Sequence, residues 1–148
     1  MTALRLIPEL VPAQQFGANL RAVLPTREWD RLRRACYAAA GNRCEVCGGA
    51  GRRHAVECHE RWAFDDASRM QTLVGLVALC PACHEATHLG RAIAIGNGPR
   101  ALVHLARVNA IDEGVLQVLV ERVFALWEHR CSLGAWTLDL SWLQRKEA

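Results

Sequence analysis

The sequence contains almost no lysine, which narrows the chemistry of its basic groups. Of the 18 Lys and Arg residues, only Lys146 is lysine, so arginine carries nearly all of the positive charge. A guanidinium group can bind phosphate through paired N–H donors, whereas a lysine ammonium acts as a single point charge. The net charge of +3 and the pI of about 8.6 stay below the values typical of basic nucleic-acid-binding domains. Composition therefore permits a phosphate-binding role without establishing one.

Long apolar runs are also missing. The longest strongly apolar run, residues 73–80, is far shorter than the roughly 20 residues that span a bilayer. The first 15 residues lack the basic segment and unbroken apolar stretch of a secretory signal peptide. We therefore expect no membrane association and a cytoplasmic location. With 148 residues, 51% hydrophobic and 22% charged, the chain is expected to form one globular domain without internal repeats.

Cysteine, by contrast, is abundant, and its spacing is informative. Two CxxC pairs, CEVC at residues 44–47 and CPAC at 80–83, stand among the seven cysteines. In a reducing compartment such pairs are typically metal ligands, and two of them can close a tetrahedral thiolate shell around zinc. Cys36 and Cys131 fall in helical patterns and are expected in the core. The predicted ligands of a structural zinc ion are Cys44, Cys47, Cys80 and Cys83.

The second CxxC pair overlaps a different metal signature. His84, Glu85 and His88 spell HExxH, the pattern by which a metalloprotease helix holds catalytic zinc. A metalloprotease of this type also needs a third downstream ligand, and no recognisable pattern supplies one. We interpret the HExxH spelling as coincidental and predict that Glu85 is dispensable. The two histidines still lie one helical turn apart, so they can share a metal ion.

Cys58 and His59 lie between the two CxxC pairs. They are adjacent in a predicted strand, so their side chains point to opposite faces. One of them could bind a metal ion while the other faces a substrate.

The chain is divided by its patterns into four segments of one domain. We predict an N-terminal arm at residues 1–25, a helix at 26–41, a zinc-binding core at 42–90 and a helical C-terminal extension at 91–148. Within the last two segments we expect the following elements: strands at 55–60 and 73–79 joined by a polar connection, a helix from 83 that Gly90 ends, helices at 99–109 and 114–131 with Asp112 capping the second, and an edge strand at 136–143.

Three features follow one another along the chain: CEVC, a strand that carries His59, and an apolar strand that runs into CPACH with a further histidine four residues on. Together they resemble the zinc-knuckle branch of the HNH nuclease family. The resemblance covers residues 44–88. It implies an α+β fold with a ββα-metal core and a four-cysteine zinc knuckle. Additional α-helices and a C-terminal strand would flank that core.

The same resemblance implies a metal-dependent endonuclease that hydrolyses DNA phosphodiester bonds. His59 would be the general base, and the residue before it, Cys58, would join His84 and His88 in holding a second divalent metal ion. That ion is expected to be Zn²⁺, Mg²⁺, Mn²⁺ or Ni²⁺. DNA is the expected partner, and a protein partner or a second copy of the chain stays open. The residues expected to bind phosphates beside the site are Arg52, Arg53 and Arg61.

Two departures from the family pattern leave an alternative open. Cys58 stands where the family usually has Asp or His, and a thiolate suits zinc better than Mg²⁺. Gly75 stands where the family's Asn opens the second strand, so no side chain is there to brace the histidine. The second site either keeps one open position or recruits Glu57 or His54 and becomes structural. The alternative function is a degenerate HNH-like zinc module that binds nucleic acid or protein without cleaving.

Overall fold

A computed structural model describes residues 2–147 and has an α+β fold, which confirms the α+β part of the predicted fold class. Within those residues, one three-stranded sheet in the order β1-β2-β3 is combined with seven α-helices. Their bounds are α1 Leu20–Val23, α2 Thr26–Ala39, β1 Glu57–Asp65, β2 Met70–Leu79, α3 Pro81–Thr87, α4 Leu89–Ala94, α5 Gly98–Asn109, α6 Glu113–Ser132, β3 Thr137–Asp139 and α7 Ser141–Glu147. None of the helices formed by residues 2–147 has the length and apolar character to cross a membrane.

β1 and β2 form an antiparallel hairpin that is longer than the sequence predicted. The register runs from Glu57 opposite Leu79 to Asp65 opposite Met70. The expected polar connection over residues 61–70 was therefore wrong over most of its length. Residues 61–65 alternate between exposed and half-buried positions, and that two-residue period extends the strand although two of its three exposed positions, Arg61 and Asp65, are charged.

β2 runs directly into α3, which ends earlier than expected. Pro81 occupies the first turn of α3, and the Cys80 sulfur accepts the backbone N–H of Cys83 as an N-cap. The helix breaks at His88, whose ψ of 49° leaves the helical range, and the chain resumes as α4. Gly90 therefore lies inside α4 and does not end α3. The break lets Leu89 enter the core, where it is fully buried.

The C-terminal region follows the predicted order with one correction. α5 and α6 form as expected, and the Asp112 carboxylate caps α6 by accepting the backbone N–H of Val115 at 2.9 Å. The expected strand over 136–143 is limited to the three residues of β3, which pairs parallel with β2. Asp139 then accepts the backbone N–H of Ser141 at 2.9 Å, and α7 begins.

Two apolar clusters lie on the two faces of the hairpin. Val77 and Leu79 of β2 belong to the larger cluster, which is completed by α3 to α6. Cys58 of β1 and Leu73 of β2 belong to the smaller cluster, together with residues of α1, α2 and α7. Since His59 pairs with Val77, it faces the larger cluster, whereas its neighbour Cys58 faces the smaller one.

Replacing Leu73 by Ala tests the smaller cluster. Leu73 is fully buried, so Leu73→Ala should lower the free energy of unfolding by about 2–5 kcal/mol. Val74, the next residue, is 51% exposed, and Val74→Ala should cost about 1 kcal/mol or less. Urea denaturation followed by circular dichroism measures both changes. Equal losses for the two variants would contradict the assignment of faces.

Candidate metal centres

The four predicted cysteine ligands come together at the end of the hairpin. Cys44 and Cys47 lie in the turn between α2 and β1, and Cys80 and Cys83 lie at the junction of β2 and α3. Their sulfur atoms all lie within 4.8 Å of one another, and those of Cys47 and Cys80 are 3.7 Å apart. Tetrahedral zinc with bonds of about 2.3 Å places its sulfur ligands about 3.8 Å apart. The group could therefore hold one metal ion.

Backbone N–H groups point at the sulfur atoms of this cluster. The N–H of Cys47 donates to the sulfur of Cys44 at 3.5 Å, and that of Gly49 donates to the sulfur of Cys47 at 3.4 Å. Gly48, with a φ of +74°, permits the tight turn between these donors. Burial raises the pKa of Cys44, but backbone donors outweigh it and bring that pKa down to about 7. The backbone thus favours the thiolate form that binds metal ions.

A histidine that the sequence did not single out contacts the same cluster. Nε2 of His104, on α5, lies 3.1 Å from the sulfur of Cys83, and the Arg107 guanidinium lies 3.1 Å from Nδ1 of His104. A guanidinium can only donate, so Nδ1 accepts and Nε2 carries the hydrogen that is donated to Cys83. Burial and then the Arg107 charge lower the pKa of His104, which keeps its ring neutral.

Three histidines form a second cluster. His59 lies on β1, His84 on α3 and His88 at the end of α3. Their ring centroids are separated by 4.7 to 5.4 Å, and the Nε2 atoms of His84 and His88 are 3.1 Å apart. One ring nitrogen from each lies within 4.8 Å of the other two. The three imidazoles could therefore hold a metal ion.

Carboxylates orient two of these rings. Glu57 Oε2 lies 2.6 Å from His84 Nδ1, so this carboxylate accepts the Nδ1 hydrogen and leaves Nε2 of His84 free to bind a metal ion. The other oxygen of Glu57 lies 3.0 Å from His54 Nε2, which makes both residues supports of His84 rather than members of the triad. On the opposite side, Glu9 Oε2 lies 3.3 Å from His59 Nε2.

The protonation of the cluster also suits a metal ion. Burial, followed by the charges of His59 and His84, lowers the pKa of His88 to about 3. Burial likewise lowers the pKa of His84, although Glu57 opposes it. Both rings are therefore neutral at neutral pH, which is the form that binds metal ions. Within the described residues, Nδ1 of His59 is buried without a hydrogen-bond partner, as expected of an atom that a metal ion or water would satisfy.

Cys58 is not part of this cluster, which corrects the expected ligand set. Because neighbouring strand residues point to opposite faces, Cys58 packs against Cys36 of α2 while His59 faces α3. The Cys36 thiol, together with burial, raises the pKa of Cys58, so this residue is held as a neutral thiol. His59 thus takes the place beside His84 and His88 that was expected for Cys58.

The three expected phosphate-binding arginines differ in their relation to the histidines. Arg52 and Arg53 are exposed in the segment before β1. Arg61 is exposed on β1, two residues after His59, and both line a cavity of about 450 Å³ beneath the N-terminal segment. Opposite Arg61, Gly75 leaves open space where a side chain would stand.

No protein-family model, curated protein or solved structure matches this chain. The function of the chain therefore has to be inferred from the two clusters themselves.

Cys80→Ser tests the four-cysteine site. Because the free energy of metal binding to such a site contributes to folding, the variant should lose both bound metal and its cooperative thermal unfolding. Cys131→Ser is the matched control, since the Cys131 sulfur accepts the backbone N–H of Ala13 and a hydroxyl can do the same. Circular dichroism and metal analysis measure the two effects. A soluble Cys80→Ser variant that melts like the wild type would contradict the site.

Proposed function

We propose that the chain is an HNH-type metal-dependent endonuclease that hydrolyses DNA phosphodiester bonds. The observation that supports this proposal is the convergence of His59, His84 and His88 where a β-hairpin meets the following helix. The four-cysteine cluster adjoins it, because Cys83 and His84 are consecutive residues. We propose zinc as its ion, since four thiolates in a tetrahedral arrangement select zinc over Mg²⁺.

In this proposal the three histidines have two different roles in hydrolysis. A divalent ion held by His84 and His88 would supply charge stabilisation to the phosphate and the leaving oxygen. His59 accepts the proton of the attacking water, and its ring centroid lies 5.4 and 4.8 Å from those of His84 and His88. Arg61 binds a neighbouring phosphate of the DNA strand that is cleaved. Because the ligands at this position are imidazoles and Cys58 is not among them, the site favours Zn²⁺ or Ni²⁺ over Mg²⁺.

A second candidate function is a zinc module that binds nucleic acid or protein without cleaving. Two observations favour it: His59 is only 4% exposed, and Gly75 contributes no side chain near it. In this alternative His59 is a third metal ligand, and the histidine cluster stabilises the fold as the cysteine cluster does. The two functions therefore differ in whether His59 handles a proton or a metal ion.

His59→Ala separates the two functions when it is assayed for plasmid nicking and for metal content with Mg²⁺, Mn²⁺, Ni²⁺ or Zn²⁺. A general base contributes about 10²- to 10⁴-fold, so we expect nicking to fall by that factor while two metal ions per chain are retained. Glu85→Gln is the control, because the Glu85 carboxylate binds Asn97 and Arg100 and is expected to be dispensable.

The outcomes are distinct. Wild-type protein with two metal ions per chain but no nicking under any metal would support the non-cleaving module. Wild-type protein with one metal ion and no nicking would contradict the second metal site and the nuclease together. Loss of activity in Glu85→Gln would show that the HExxH glutamate takes part after all.

A further inference from the structure

The N-terminal segment before α1 is fixed on both sides of Glu9. On one side, Asn109 of α5 accepts the backbone N–H of Leu6 at 3.0 Å and donates to its carbonyl at 2.8 Å. On the other side, the Trp127 indole of α6 donates to the carbonyl of Val11 at 3.0 Å. Leu6 is itself part of the larger apolar cluster. Glu9 is therefore held at a defined place over the end of the hairpin.

Glu9 bridges the two elements that carry the histidines. Its backbone N–H donates to the carbonyl of Thr87, next to His88, at 2.9 Å. Its carboxylate reaches β1, where Oε1 accepts the backbone N–H of Trp62 at 3.3 Å and Oε2 lies 3.3 Å from Nε2 of His59. One residue of the segment thus contacts both sides of the histidine cluster.

The chemistry of a carboxylate determines the direction of the contact with His59. An ionised carboxylate can only accept, so the hydrogen between the two groups belongs to Nε2 of His59. In a neutral ring the other nitrogen, Nδ1, then carries no hydrogen. That atom is buried and lacks a hydrogen-bond partner among the described residues, so a metal ion or a water molecule could satisfy it.

We propose that Glu9 is a positioning residue for His59: it fixes the Nε2–H tautomer and so makes Nδ1 the nitrogen that reacts. This inference rests on the proposed function for the role of His59, but the tautomer itself does not depend on that function. Among the described residues β2 provides no such support, because the residue opposite His59 is the apolar Val77. The N-terminal segment then takes part in the site directly, through the contact between Glu9 and His59.

The tautomer of His59 can be measured by long-range ¹H–¹⁵N NMR on the full-length, zinc-loaded chain, which distinguishes a protonated ring nitrogen from a bare one. In the wild type we expect hydrogen on Nε2 and none on Nδ1. In Glu9→Gln the amide can donate as well as accept, so both tautomers should be populated. Glu60→Gln is the matched control, because Glu60 lies on the same strand but accepts the backbone N–H of Leu20 on the other face.

Cleavage assays on the same variants add a functional readout. Loss of such an orienting partner typically lowers activity about 10- to 100-fold, which we expect for Glu9→Gln and not for Glu60→Gln. A wild-type ring with hydrogen on Nδ1, or an unchanged tautomer in Glu9→Gln, would overturn the proposal. Absence of cleavage by the wild type would overturn only the nuclease, since the tautomer is read without substrate.

Discussion

The turn that joins β2 to α3 positions both candidate metal sites. Within it, the Cys80 sulfur accepts the N–H of Cys83, and the Cys80 carbonyl accepts the N–H of His84 at 2.9 Å. These contacts bring the Cys80 sulfur to the first turn of α3, the helix that carries both Cys83 and His84. Burial raises the pKa values of Cys80 and Cys83, so these sulfurs have to lose protons when they bind a metal ion. Because Cys83 and His84 are consecutive residues of α3, metal binding at the cysteines is expected to stabilise the start of the helix that carries His84.

Elements distant in sequence then complete each site. α5 brings His104 to Cys83, and the N-terminal segment brings Glu9 to His59. The Arg107 guanidinium decides which ring nitrogen of His104 carries the hydrogen, and Glu9 is proposed to do the same for His59. Such outer partners hold a ligand or a base in one orientation and so lower the cost of ordering it at the moment of binding. Each site thus contains a histidine whose ring is oriented by a hydrogen-bond partner, although one site is made of thiols and the other of imidazoles.

The sequence predicts the local features of these sites well and the tertiary ones poorly. CxxC spacing identified four cysteines that the fold brings together, and the Asp112 cap located the start of α6. The alternation of side chains along a strand predicted that Cys58 and His59 point to opposite faces of β1. It could not predict which of the two residues would contact α3. His104 and Glu9 gave no signal because their partners lie 21 and 50 residues away. Only the packed chain brings those pairs together.

On this view a thiolate metal site and an imidazole metal site meet at the Cys83–His84 bond. This arrangement can be tested by zinc K-edge X-ray absorption on the zinc-saturated chain and on a His84→Ala/His88→Ala variant. We predict two zinc ions per wild-type chain, with a sulfur shell at about 2.3 Å and a nitrogen shell at about 2.0–2.1 Å. The variant should keep one zinc ion and only the sulfur shell. A wild-type chain that saturates at one zinc ion, with sulfur ligands alone, would contradict the presence of two metal sites.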